Sequence, residues 1–212
     1  IRGLDLDTAT SVVEYEIDGV TYQREHFMSY PDNIMVMRLT SDSKKGKLSR
    51  IISLESLHTD KTITADGHTI TMTGYPTPVS GDKRIGDAWK NGLKYAQQLV
   101  VRNKGGKISV VDGTKLKVED ADEIIVLMSA ATNYVQCMDD SYNYFSQEDP
   151  LEKVQATLHK VADKKYTALL ATHQKDYHSL YDRMRLNLGN LPEAPVAPTD
   201  SLLKGMDENT NS

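Results

Sequence analysis

Three Asp-Gly dipeptides, each lying between two short runs of β-branched residues, constrain the fold of this chain more than any other sequence feature. They are Asp18-Gly19, Asp66-Gly67 and Asp112-Gly113. Asp-Gly between two alternating runs is the strongest short signal for a β-hairpin, because both central residues of a type I′ turn need a positive φ. The three dipeptides therefore predict a meandering antiparallel sheet with a type I′ turn at each of them.

The residues around these turns predict a mostly β fold built from two packed antiparallel sheets over residues 1–148. Val13, Tyr15 and Ile17 alternate with acidic residues, as expected for a strand with one wet face. Further strands are predicted at 34–40, 47–55, 93–102 and 123–131. Residues 34–39 and 124–128 are apolar on both faces, so we expect each to be covered on both sides. About ten such strands indicate a two-sheet sandwich.

At residue 149 the period changes from strand-like to helix-like. Asp149 can cap a helix whose first position is Pro150, where a missing N–H costs nothing. The apolar residues that follow recur at steps of three and four, and a break near Asp163-Lys164 separates them into two helices. We therefore predict a helical hairpin over 149–182. Residues 183–212 are expected to form one short strand, from the alternation of 184–188, and a proline-rich tail.

Residues 74–91 interrupt the strand pattern and are predicted to form a long surface loop. This loop contains the only tryptophan, Trp89, with Tyr75 at its other end. Long loops of this kind are frequently functional, and aromatic rings can stack on the apolar face of a sugar. Tyr75 and Trp89 are therefore the candidate substrate contacts. The alternative is that Trp89 only anchors its own loop.

The sequence assigns no catalytic residue, metal site or cofactor. No two of the six histidines have the spacing that places two imidazoles on one helix face as zinc ligands, and His173 is expected to be a packed, hydrogen-bonded core residue. Cys137 precedes Asp139-Asp140, and acidic neighbours oppose formation of a thiolate. Among 30 Asp and Glu residues, spacing selects no catalytic pair. The histidines are His26, His58, His68, His159, His173 and His178.

Composition excludes two classes of partner. The formal net charge is -5, and lysines and arginines form no concentrated basic surface of the kind that binds nucleic acid. No stretch approaches the roughly 20 apolar residues that span a bilayer, so no membrane span is expected.

Several runs of residues resemble a known family. The most specific are RGLDLDTA at residues 2–9 and YEIDGVTYQREHFMSYPD at residues 15–32. They resemble the N-terminal domain of glycoside hydrolase family 95, which contains α-L-fucosidases and some α-L-galactosidases. Asp176-Tyr177 and Asp182-Arg183 extend the likeness through the helical region, and Pro198-Thr199-Asp200 through the tail. The sequence departs from the family at Ser201 and Leu202, where a Glu-Arg pair is usual.

The resemblance implies a β-supersandwich followed by a helical linker and then an (α/α)6 barrel that holds the active site of an inverting enzyme. The barrel motifs are absent from this chain, so the resemblance transfers no catalytic residue. It implies a non-catalytic fragment of a secreted or periplasmic bacterial glycosidase, with the missing barrel as partner and a fucosylated glycan as substrate. The alternative is a stand-alone sandwich that binds carbohydrate or protein without hydrolysing anything.

Overall fold

The computed structural model describes residues 1–43, 48–76, 92–136 and 145–186, together with Leu203. These ranges contain eleven strands and two helices, which confirms the predicted mostly β fold with a C-terminal helical hairpin. The strands are β1 (Arg2–Asp5), β2 (Thr10–Ile17), β3 (Val20–Ser29), β4 (Ile34–Ser41), β5 (Leu48–Ile52), β6 (Lys61–Asp66), β7 (Thr69–Gly74), β8 (Tyr95–Lys104), β9 (Lys107–Val111), β10 (Lys115–Ala121) and β11 (Glu123–Thr132). The helices are α1 (Pro150–Lys160) and α2 (Tyr166–Tyr181).

The strands form two antiparallel sheets of unequal size. The large sheet has eight strands in the order β1-β2-β3-β4-β11-β8-β7-β6, and the small sheet has three in the order β5-β10-β9. Strand β11 lies between β4 and β8, and all ten of its residues pair with β8. A strand in this position is buried on both faces, which explains the apolar run at its centre.

Two of the three predicted type I′ turns form as expected. Asp18 and Gly19 have φ values of 52° and 74°, and Asp112 and Gly113 have values of 52° and 65°. At Asp66-Gly67 the predicted hairpin forms between β6 and β7, but the predicted turn type is wrong, because Asp66 pairs with Thr69 and leaves Gly67 and His68 as the two loop residues. Only Gly67 has a positive φ there, at 53°. Glycine at the first central position alone is typical of a type II′ turn.

Each face of the large sheet packs against a different layer. On one face, Leu48 and Leu116 of the small sheet join a buried cluster with Ile124 of the large sheet. On the opposite face, Val154 of α1 and Leu169 of α2 join a second buried cluster. The predicted coverage of the doubly apolar strands on both sides is therefore confirmed, and the two layers bury separate apolar cores.

Capping and carbonyl contacts fix both ends of the first helix. Asp149 caps α1 as predicted: its carboxylate accepts a hydrogen bond from the Leu151 N–H at 2.9 Å, and Pro150 occupies the first turn. At the other end, the Arg102 guanidinium donates to the carbonyls of Val161 and Lys164, both at 2.8 Å. These carbonyls follow the last turn of α1, where the i−4 pattern of hydrogen bonds has ended, and the Val161 carbonyl also accepts from the Lys164 N–H at 3.1 Å. The large sheet therefore holds the helical hairpin in place.

The chain divides into two compact units, Ile1–Leu180 and Tyr181–Ser212. Within the described part of the second unit, Met184, Arg185 and Leu186 are not in a strand, which corrects the predicted strand at 184–188 as far as these residues reach. Alternating apolar residues need a neighbouring strand to pair with before they form a ladder. Neither described helix is long and apolar enough to cross a membrane.

Candidate functional site at one end of the large sheet

The candidate site lies where β7 ends and β8 begins. Tyr75 follows β7, and its backbone N–H donates to the Asp60 carbonyl at 3.0 Å. A cleft of about 150 Å³ opens beside it. The cleft is lined by Asp60, Thr62, Thr73, Gly74, Tyr75, Lys94, Tyr95, Asp149 and Pro150. It combines two tyrosines with an ammonium group and carboxylates, which are groups able to bind hydroxyl-rich ligands.

Tyr95 also lines a larger and more open cavity of about 570 Å³. Its hydroxyl lies 3.5 Å from Ser56 Oγ, and its ring centroid lies 5.6 Å from that of His58. Glu55 and Pro76 contribute further to the lining of this cavity. The two depressions share one aromatic side chain, so a ligand that spans both would contact Tyr95.

Of the two predicted substrate contacts, the structure places only one. Tyr75 lies on the wall of the smaller cleft. Trp89 lies outside the described residues, as does Cys137. The pairing of Tyr75 with Trp89 on one ligand therefore stays a prediction.

Asn133, which the sequence analysis did not single out, connects the chain segments around this site. Its side-chain oxygen accepts from the Lys94 N–H at 2.7 Å, and its amide nitrogen donates to the Gly92 carbonyl at 2.8 Å. The amide nitrogen also lies 3.4 Å from the Ser146 carbonyl. Asn133 is only 4% exposed. A buried amide with both its donor and acceptor satisfied fixes the backbone on either side of it.

A close approach of Gly92 to Phe145 reinforces this connection. A Cβ atom at position 92 would overlap the Phe145 ring, so any larger residue there would displace this ring. Tyr134 and Phe145 form an antiparallel bridge beside it. The described residues next to segments 77–91 and 137–144 are thus held together at one point. No sequence motif marks Asn133, because its partners are more than ten residues away in the chain and are backbone groups.

Many other carboxylates of the described chain have structural partners. Arg38 lies 3.0 Å from Glu25 and 2.6 Å from Glu123, and its guanidinium stacks over the Tyr166 ring at 4.8 Å. Burial and the nearby Glu25 carboxylate raise the pKa of Tyr166 to about 12. Asp32, whose side chain is 5% exposed, pairs with Lys164 at 2.6 Å.

Two carboxyl groups with a displaced pKa also serve the fold. Hydrogen bonds from Thr8 and from the Asp7 backbone lower the pKa of Asp5, which is fully exposed. Hydrogen bonds from Lys117 and Lys107 lower the pKa of Glu119. A general acid of a glycosidase needs the opposite displacement, because it must hold a proton near neutral pH.

The histidines of the described ranges do not gather into a metal site, and no three His, Cys, Asp or Glu residues come together there. His173 is buried as predicted: its Nε2 lies 2.9 Å from the Ala9 carbonyl oxygen, and its ring stacks on Phe27 at 4.9 Å. The interpretation of His173 as a packed, hydrogen-bonded core residue is confirmed.

Comparison with known families gives a match over most of the sheet region. The model described as "Glycosyl hydrolase family 65, N-terminal domain" matches residues 1–137. Among curated proteins, Alpha-L-fucosidase 2 of Arabidopsis thaliana is 33% identical over 201 residues, covering 88% of this chain and 23% of that protein. Probable alpha-fucosidase A of Aspergillus niger is 27% identical over 213 residues, covering 98% of this chain and 25% of that protein. This chain therefore spans about a quarter of the length of these relatives.

One solved structure supports the fold independently of sequence. The protein named "Putative kojibiose phosphorylase from human microbiome" superposes with a TM-score of 0.53 over 85% of this chain and 24% of its own. The two sequences are only 10% identical, so this likeness concerns the fold alone.

Proposed function

Because this chain belongs to the family described as the N-terminal domain of glycosyl hydrolase family 65, and has fucosidases among its relatives, we propose that it is the non-catalytic N-terminal part of a glycoside hydrolase. The whole enzyme would remove terminal α-L-fucose, or α-L-galactose, from glycans. The family match over residues 1–137 carries the proposal of a glycoside hydrolase. The choice of fucose rests on the names of the two curated relatives.

The roles of four carboxylates in the described ranges support a catalytic centre elsewhere. Glu25 and Glu123 neutralise Arg38, and Asp32 neutralises Lys164. Asp149 caps α1. An inverting glycosidase needs two carboxyl groups on opposite sides of the sugar, with one left protonated and the other free to activate water. Carboxylates already committed to ion pairs and caps suit neither role.

The reaction itself would take place in an (α/α)6 barrel formed by the rest of the polypeptide. One acid there would protonate the leaving oxygen while a base activates water on the opposite face of the ring. The end of the large sheet that carries Tyr75 would lie at the rim of that site. The cleft beside Tyr75 supports this role, because it offers both a ring and hydrogen-bonding groups to a glycan.

Full-length gene product incubated with a 2′-fucosylated oligosaccharide tests the proposal. We expect release of L-fucose, with the β-anomer appearing first in a proton NMR time course because the mechanism inverts the anomeric carbon. A full-length product that releases neither L-fucose nor L-galactose would contradict the proposed activity. Initial appearance of the α-anomer would contradict only the inverting mechanism.

The alternative function, a glycan-binding module without hydrolysis, draws on the same cleft. Its test is glycan-array binding by the isolated 212-residue chain, compared with the variants Trp89→Ala and Tyr75→Ala. Binding that both substitutions abolish, in a full-length product without hydrolytic activity, would favour this alternative.

The resemblance also leads us to propose that the whole protein is exported to the periplasm or the medium, where glycan substrates are found. Fractionation of cells that express the full-length gene, with immunodetection of each fraction, tests this proposal. A product found only in the cytoplasm would contradict it.

A further inference from the structure

Two arginines, Arg24 of the large sheet and Arg50 of the small sheet, share one hydrogen-bonding oxygen between the two sheets. Arg50 of β5 lies two residues from both Leu48 and Ile52, which pack into the core between the sheets. Because side chains alternate along a strand, Arg50 faces the same way as these two residues. Arg24 of β3 approaches from the large sheet. Its Nη2 lies 3.2 Å from the Tyr15 hydroxyl, and the Nη2 of Arg50 lies 3.3 Å from the same oxygen.

Aromatic stacking holds both guanidinium groups in place. The rings of Tyr15 and Tyr22 stack at 5.4 Å with an interplanar angle of 17°. Arg24 lies over the Tyr15 ring and Arg50 over the Tyr22 ring, each at 5.3 Å from the ring centroid. Planar guanidinium groups stacked on aromatic faces lose little further freedom when they bind a ligand. The arrangement is therefore pre-organised.

Within the described part of the chain, neither arginine has a carboxylate partner. The hydrogen bonds of Arg50 go to the Tyr15 hydroxyl and the Ser49 carbonyl, and that of Arg24 goes to Tyr15. The Nε of Arg24 is shielded from solvent and has no hydrogen-bond partner. Two positive charges that share one neutral oxygen repel each other, and partial burial strengthens the repulsion. Several of their N–H donors remain available.

The opposite face of the same sheet shows how such a charge is usually compensated. Arg38 there is flanked by Glu25 and Glu123. The two positive charges also affect Tyr15. Burial alone would raise the pKa of this phenol, but hydrogen bonds from Arg24 and Arg50, together with their positive charges, hold the pKa below its ordinary value. An anion placed between the two guanidinium groups would relieve their repulsion and accept their remaining hydrogen bonds.

We propose that Arg24 and Arg50 form a binding site for one oxyanion, a carboxylate or sulfate group, beside the Tyr15 hydroxyl that they share. The planar forks of two arginines match the oxygen spacing of such groups. The oxyanion comes either from solution or from an acidic side chain elsewhere in the full-length polypeptide. This inference does not depend on the proposed hydrolase function, since it requires only the geometry of the two sheets.

Thermal unfolding of the 212-residue chain in sodium sulfate, compared with sodium chloride of equal ionic strength, tests the site. Sulfate stabilises most proteins by exclusion from their surface, so the informative quantity is the difference between the native chain and Arg50→Gln. We expect the native chain to gain about 2–4 °C more than this variant, which corresponds to about a five-fold shift of the folding equilibrium. Arg2→Gln, at an exposed arginine of β1, should behave like the native chain.

Equal gains in the native chain and Arg50→Gln would overturn the proposal. Should Arg50→Gln fail to fold, Arg50→Lys keeps the charge without the planar fork and should show a reduced gain. A gain equal to that of the native chain would then overturn the proposal. The same comparison in the full-length protein identifies the source of the oxyanion. If sulfate no longer stabilises the native protein more than Arg50→Gln, a carboxylate of the polypeptide already occupies the site. If the extra stabilisation by sulfate remains, the site binds a small anion from solution.

Discussion

The two faces of the eight-stranded sheet differ in how completely the chain satisfies them. On the helix face, Arg38 has two carboxylate partners and Arg102 has two backbone carbonyl partners. On the face that carries the small sheet, the hydrogen bonds of Arg24 and Arg50 within the described ranges all go to neutral oxygens. The difference teaches that arginines on the helix face have partners within the described chain, whereas Arg24 and Arg50 on the other face keep positive charges suited to binding an anion.

Apolar surface follows the same division. On the helix side, the cluster that includes Leu169 and Val154 is fully buried. On the other side, Met28 is 66% exposed although it stands in register with Met35, which in turn pairs with Met128. The small sheet covers only part of its face, and these methionines line a cavity of about 300 Å³ at the uncovered end.

The largest expected contrast between the faces is a core truncation. Leu169→Ala should lower the free energy of unfolding by about 2–5 kcal/mol, because it opens a cavity in the helix-side cluster. Met28→Ala on the other face should stay within about 0.5 kcal/mol. Urea denaturation measures both, with Leu180→Ala, at an exposed leucine of the same helix, as the matched control. Similar losses for Leu169→Ala and Leu180→Ala would show that α2 is not packed on the sheet.

The second contrast concerns charge. Arg38→Gln should cost about 2–3 kcal/mol, because it leaves Glu25 and Glu123 half-buried without a counterion. Arg24→Gln should cost less than about 1 kcal/mol in the absence of sulfate, since removing one of two neighbouring positive charges offsets the lost contacts. Chemical denaturation in dilute buffer compares them. A greater loss for Arg24→Gln than for Arg38→Gln would reverse the assignment of the two faces.

The smallest contrast concerns two tyrosines. The pKa of Tyr166 is raised to about 12 and that of Tyr15 is lowered. A raised phenol pKa contributes stability below the unfolded value near 10, and this contribution is lost as pH rises toward 12. Tyr166→Phe should therefore reduce the alkaline loss of stability between about pH 10 and 12, whereas Tyr15→Phe should not.

Ultraviolet titration of tyrosinate gives the corresponding spectroscopic test. The Tyr15→Phe variant should lack an early-ionising tyrosine, and the Tyr166→Phe variant should lack a late one. Ionisation of Tyr15 after Tyr166 would contradict the described environments of both residues.

The features that the sequence predicted correctly are those set by residues close together in the chain. Asp18-Gly19 and Asp112-Gly113 form the expected turns, and Asp149 caps α1. At Asp66 the same dipeptide gave the wrong turn, because the pairing of Asp66 with Thr69 moves the loop by one residue. The register in which two strands pair depends on the hydrophobic pattern of both strands, so the dipeptide between them does not determine it.

The features that sequence did not predict depend on contacts between distant residues. Nothing in the sequence separates β5, β9 and β10 into their own sheet, since β5 and β10 are more than sixty residues apart in the chain. Asn133 was missed for the same reason, because its partners are backbone groups near residues 92 and 146. Of the predicted rim contacts, Tyr75 lies on a cleft wall, and its role there stays a prediction together with that of Trp89.

The most direct test of the account is L-fucose release from a 2′-fucosylated oligosaccharide, measured side by side for the full-length protein and for this 212-residue chain at equal molar concentration. We predict release by the full-length protein and none by the chain, because we propose that the catalytic carboxyl pair lies outside these 212 residues. Release of L-fucose by the chain alone would contradict the account and would place a catalytic carboxyl pair within these residues.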